Sequence, residues 1–144
     1  MHADFMVLAH EDEGEHRGHP YWYGRILNIF HTFVIHRGSA NEAPQQIDLL
    51  WVRWFGRDLL HSAGWKAKRL HRIGFIPADD DGAFGFLDPQ NVVRAIHLIP
   101  AFAYGHTPDL LPHSIVRHAK ENDEDWCMFY VNMYVRRQSE SVIA

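Results

Sequence analysis

Apolar and polar positions along this chain follow the two-residue period of extended strands far more than the period of helices. From Tyr21 the run YWYGRILNIFHTFVIHR, if extended, puts Trp22, Gly24, Ile26, Asn28, Phe30, Thr32 and Val34 on one face, with Tyr23, Leu27, Ile29, Phe33 and Ile35 opposite. β-Branched and aromatic residues favour strand here, and the length of the run predicts a bend or bulge near Asn28 to Thr32, or a tight turn. Ile47 to Phe55, IDLLWVRWF, reads as a strand buried on both faces. Further strands are expected over Trp65 to Phe75, over Phe84 to Leu87 and from Val92 in VVRAIHLIPAF. Asp88 as N-cap and Pro89 at the first helical position predict a short helical turn over Pro89 to Asn91. Leu111 to Lys120 is a candidate helix, and Trp126 to Val135 closes the fold as a strand with Cys127, Phe129, Val131, Met133 and Val135 on one face.

Loops separate these runs. Gly38 to Gln46, Gly56 to Gly64 and Pro77 to Gly85 carry the glycine, proline and acidic residues of turns. Met1 to Pro20 lacks sustained periodicity and reads as a mobile lead-in (1–20), followed by a single β-rich domain (21–135) and a frayed tail (136–144). The expected class is mainly β with short helices, arranged as a small curled sheet or partly open β-barrel.

Bulk composition is consistent with that picture. The chain has 144 residues, 47% apolar and 13% aromatic, enough for one domain to bury a core without staples. No apolar run approaches the roughly 20 residues of a membrane helix, and the first residues lack the basic start and cleavage site of a secretory signal, so an intracellular protein with no membrane contact is expected. Cys127 is the only cysteine, which excludes an internal disulfide and a Cys-rich zinc site.

Charge changes the picture more. The net charge of -4 conceals acidic clusters at 11–15, 79–81 and 121–125 and a basic cluster of Arg53, Arg57, Lys66, Lys68, Arg69 and Arg72. Local potential steers encounter, so those six are the candidate contacts for nucleic acid or a partner. The plainer alternative is a solvated strand edge that uses Lys and Arg against aggregation. Tyr21, Trp22, Tyr23, Trp51, Trp54, Phe55, Trp65 and Tyr130 supply either core or a cation-binding and base-stacking surface, with Trp22, Trp54 and Trp65 as the surface candidates.

Catalytic and metal motifs are sparse. His10, His16 and His19 sit among acids without a framework, His113 and His118 miss the four-residue helical spacing, and His31 and His36 fall on opposite strand faces, so no metal is expected. DDDG at 79–82 lacks the alternating spacing of a calcium loop. Cys127 lies in an apolar run, and Ser62 and Ser114 have no elbow motif around them. No catalytic residue, cofactor or small-molecule substrate is assigned. A small hydrolase built on His and Asp is the least favoured alternative.

The succession HPYWYGRILNIFH, IDLLWVRWFGRD, GWKAKRLHRIGF, AFGFLDPQNVVRAIHLIPAFAYG and DEDWCMFYVNMYV resembles the C-terminal domain of transposon-derived proteins of mushroom-forming fungi (basidiomycetes), of the Plavaka or CACTA-like kind. The resemblance runs from His19 to about Val135. It implies a stand-alone remnant without the catalytic portion, since the chain starts at the domain and ends with RRQSESVIA. The order of parts is also similar, at the level of fold, to bromo-adjacent homology (BAH) modules, which implies a BAH/SH3-like barrel that recognises proteins or chromatin. Together these imply a noncatalytic interaction domain meeting DNA, chromatin or a transposase partner, with a nuclear location. A degenerate structural fragment with no ligand is the alternative.

Overall fold

The computed structural model describes residues 2–9, 21–38, 43–64 and 67–132. The strands are β1 (Asp4–Leu8), β2 (Tyr21–Val34), β3 (Gln45–Arg57), β4 (Arg72–Phe75), β5 (Phe84–Leu87), β6 (Val92–Pro100), β7 (His106–Thr107), β8 (Asp125–Trp126) and β9 (Phe129–Asn132). Seven of them form one antiparallel sheet in the order β2-β1-β6-β9-β4-β3-β5, and β7 pairs with β8 separately. The mainly β expectation is met.

Because β2 also pairs with β3, the sheet curls back on itself. Register shifts at Ile26/Asn28 on β2 and Met6/Val7 on β1 mark two of the places where it bends. It is not a regular barrel: β4 and β9 are joined through only Arg72↔Tyr130 and Ile73↔Phe129, and β5 hangs on β3 outside the circuit. Inside the curl lie Met6, Tyr23, Phe55, Ile73, Phe75, Phe129 and Val131. Phe55 stacks on Phe75 with centroids 4.3 Å apart, and Phe129 meets both rings edge-on. A second cluster of Phe5, Val7, Leu50 and Val52 forms on the opposite face. Glycine permits its closest approach, since a Cβ on Gly24 would stand 2.6 Å from the Phe5 ring.

Within the expected mobile lead-in, Asp4–Leu8 is corrected, while residues 10–20 and the expected frayed tail lie outside the described residues. Asp4–Leu8 is a strand held between β2 and β6, with Phe5 and Met6 each 1% exposed. The run is too short to show a period, and pairing on both sides decides its state. The β2 bulge corrects the facing pattern as well. Ile29, like Ile26, shares a face with Leu50 and Val52, whereas Asn28 and Phe30 cross to the face of Arg25.

Three segments are less regular than their composition suggests. Of the described residues in the expected strand Trp65 to Phe75, only Arg72–Phe75 are strand, preceded by an isolated bridge between Gly64 and Arg69. Leu111 to Lys120 contains no α-helix. Its residues form turns that lead into a 3-10 turn at Ala119–Glu121, which closes on Asn122 in the left-handed region. The expected final strand is divided into β8 and β9 by Cys127 and Met128, and Met133 to Val135 lie outside the described residues. The turn at Pro89–Asn91 forms as expected, with Asp88 Oδ1 accepting from the Gln90 N–H at 2.9 Å.

Candidate functional site

Strand parity separates the basic residues. Arg53 lies on the same side of β3 as Phe55, so it points into the curl and is 3% exposed. There its two terminal nitrogens each donate to Asp125 at 3.0 Å, and its guanidinium lies 3.7 Å from the centre of the Phe75 ring. The candidate role of Arg53 in binding a partner is therefore corrected, because its side chain is buried and both terminal nitrogens are held by Asp125.

Arg57 ends β3, and the segment from Asp58 to Arg72 leaves and re-enters the sheet there. Its neck is tied twice. The Asp58 N–H donates to the Arg72 carbonyl at 2.9 Å, and the Arg72 side chain donates to Asp58 Oδ2 through Nε at 2.9 Å and Nη2 at 2.6 Å. Burial raises the Asp58 pKa, yet the Arg72 hydrogen bonds, the Leu60 N–H and the charges of Arg72 and His61 together outweigh it and the net shift is downward; the same pairing raises Arg72. The Arg72 guanidinium also lies over the Tyr104 ring at 4.7 Å and donates to its hydroxyl.

Beyond that neck, Lys68 and Arg69 are exposed, and no ion pair among the described residues holds Arg57, Lys68 or Arg69. Arg69, Arg72, His61, Leu70 and Tyr130 line a shallow groove of about 460 Å³. His61 is placed by its Nε2 contact with the Leu70 carbonyl at 3.1 Å and by the Tyr130 ring 6.0 Å away. His71 lies beside them, its pKa lowered by burial and then by the charges of Arg57 and His61. The structure thus places Arg69 and Arg72 at one groove and removes Arg53, while Arg57 pairs with Ile73 on the face of β3 that also carries Arg53 and Phe55. Lys66 and Trp65 lie outside the described residues.

The remaining surface tryptophans serve packing. Trp22 and Trp54 meet edge-to-face at 6.2 Å, and both lie half-buried against the second cluster.

A second concave site opens at the mouth of the curl, about 400 Å³ in volume, where Asp4, Arg25, Asp125, Phe75, Phe129 and Trp126 face one another. Its charged floor was not among the sites expected from the sequence. Arg25 donates to Asp4 at 2.7 Å and lies 5.0–5.7 Å from the centres of Phe55, Phe75 and Phe129. Asp125 accepts from both Arg53 and Arg117, and Arg117 also donates to the Leu111 carbonyl at 2.8 Å. Burial pushes the Asp125 pKa up, but the two arginines prevail and hold it below the ordinary carboxylate range. These charges neutralise one another and hold the fold. A charged residue alternating in phase with core aromatics, as Arg25 does with Tyr23, was the signal that could have found them.

Among the described residues no three His, Cys, Asp or Glu side chains are grouped as metal ligands, and His10, His16 and His19 lie outside them. No described helix is long and apolar enough to cross a membrane. No family model, curated protein or solved structure matches the chain.

Proposed function

We propose that this chain is a noncatalytic interaction domain that contacts nucleic acid through the surface around Lys68, Arg69 and Arg72. The observation that carries the reading is a shallow groove lined by Arg69, Arg72, His61 and Tyr130, with the exposed Lys68 next to Arg69 in the chain and neither Lys68 nor Arg69 ion-paired among the described residues. Asp58, the nearby acid, is already taken up by Arg72. Exposed cations exchange condensed counterions for phosphates, and an aromatic wall next to them suits a base or sugar. The resemblance to transposon-derived proteins agrees with a DNA partner, with chromatin or a transposase next in order.

The test is fluorescence anisotropy with labelled duplex DNA across a salt series. Binding is expected at low salt, and Lys68→Ala with Arg69→Ala should lower the slope of log affinity against log salt by roughly 2, about 0.9 for each phosphate no longer neutralised. No binding to duplex DNA or RNA at low salt, or an unchanged slope in the double variant, would overturn the reading.

A further inference from the structure

We infer that the outer half of the β2–β3 ribbon is a dimerisation surface for a second copy of this chain. β1 covers the edge of β2 only as far as Arg25, with one further bond from the Ile26 N–H to the Ala3 carbonyl at 2.8 Å. From Leu27 to Val34 that edge has no strand partner among the described residues, and β5 reaches β3 only at Leu50–Arg53. A two-stranded ribbon is therefore all that supports this part of the sheet. Such ribbons are marginal alone.

Its side chains are apolar on both faces. Ile29 is 54% exposed and Phe33 70% on one face, with Ile35 at 58% just past the strand; Phe30 at 40% and Phe86 at 65% meet edge-to-face on the other. The ribbon's one acid, Asp48, is engaged by His31 at 2.6 Å, so little charge is left to attract a polyanion or a charged peptide. The open edge from Leu27 to Val34 carries no lysine, proline or unpaired charge to discourage strand addition.

An edge that pairs antiparallel with its own copy is self-complementary about a two-fold axis, the commonest symmetry of homo-oligomers. Apart from the Ile29 N–H, which donates to Asn28 Oδ1 at 2.8 Å, the N–H and C=O groups offered by one copy then meet the same set on the other. The four side chains on or just past β2, Ile29, Phe30, Phe33 and Ile35, expose on the order of 400 Å² per copy, taking about 200 Å² for a whole aromatic or large aliphatic side chain; Phe86 lies beyond β3 from this edge. The strand edge and Thr32 and Val34 add to that, approaching the ~800 Å² per partner of a stable interface. Charge neutrality, an unguarded edge and this area together favour a second copy over the nucleic acid assigned to the basic groove.

Sedimentation equilibrium of the full chain over the micromolar range tests this. The wild type should behave as a dimer that dissociates on dilution, and Phe33→Asp should be monomeric at every concentration with an unchanged circular dichroism spectrum. Should Phe33→Asp lose its fold, Ile35→Asp, placed beyond the strand, serves as the second variant with the same expected result. A wild type that stays monomeric throughout, or a folded variant that still dimerises, overturns the inference. Arg69→Ala should leave the dimer intact, so failure of DNA binding and failure of dimerisation are read separately.

Discussion

Arg53 and Arg69 belong to the same basic cluster of the sequence, yet one is a structural cation and the other a surface cation. Arg53 has lost its water and is held by Asp125 and the Phe75 ring, whereas Arg69 stands exposed at the rim of a groove with no ion-pair partner among the described residues. What separates them is strand parity combined with closure of the sheet. Arg53 shares a face with Phe55, and the curl turns that face inward. Linear clustering of charge reports composition. A face exists only after the strands are placed.

The contrast breaks most visibly at Asp125. Asp125→Ala leaves Arg53 and Arg117 buried without their shared counter-charge, and Arg53 Nε already lacks an acceptor among the described residues. Removing one partner of a buried pair costs about 3–5 kcal/mol, because the stranded charge keeps its desolvation penalty. Urea unfolding should therefore show a loss of that size, large against the 5–15 kcal/mol total of an ordinary domain. A loss below about 1 kcal/mol would mean that the interior arginines are as solvated as the outer ones.

The sheet was legible where a residue's role depends on near neighbours in sequence. Alternation and β-branched content announced β2, β3 and β6, and Asp88-Pro89 announced the turn that precedes β6. Long-range pairing hid the remainder. β1 is only five residues long and owes its burial to β2 and β6 on either side, so no local signal marked it. Asp125 sits in a run that reads ENDED, where composition says solvated loop; only the approach of Arg53, distant in sequence, makes it a core residue. In the candidate groove, Arg69 and Arg72 are neighbours in space as they are in sequence, while Tyr130, and Tyr104 against Arg72, come from further along the chain.

Acid should sharpen the same comparison in two steps. Asp125 and Asp58 have folded pKa values below their unfolded ones, so their stabilisation is fully present above about pH 4 and is lost as pH falls through the depressed folded values. His71 and His2 are lowered, each chiefly by burial. The unfolded chain takes up their protons first, and stability slips as pH falls below about 6.5, levelling off under the folded values. Urea midpoints measured across pH should show a shallow decline from the imidazoles, followed by a steep one from the carboxylates. His71→Gln should flatten the shallow decline and leave the steep one in place. A steep decline already complete at pH 6 would contradict the assignment of acid lability to the arginine-bound aspartates.

The smallest effect belongs to the surface member of the pair. Arg69→Ala removes an exposed side chain with no ion-pair partner among the described residues, so unfolding free energy should change by no more than about 0.5 kcal/mol. The same substitution should reduce DNA affinity at low salt and leave a smaller deficit at high salt, because an exposed cation acts through counterion release. Arg53→Ala should invert both outcomes, with a large loss of stability and, in the fraction that remains folded, affinity close to wild type. If Arg69→Ala instead lowered the melting midpoint as much as Arg53→Ala, the two arginines would share one structural role and the groove would lose its standing as a separate surface.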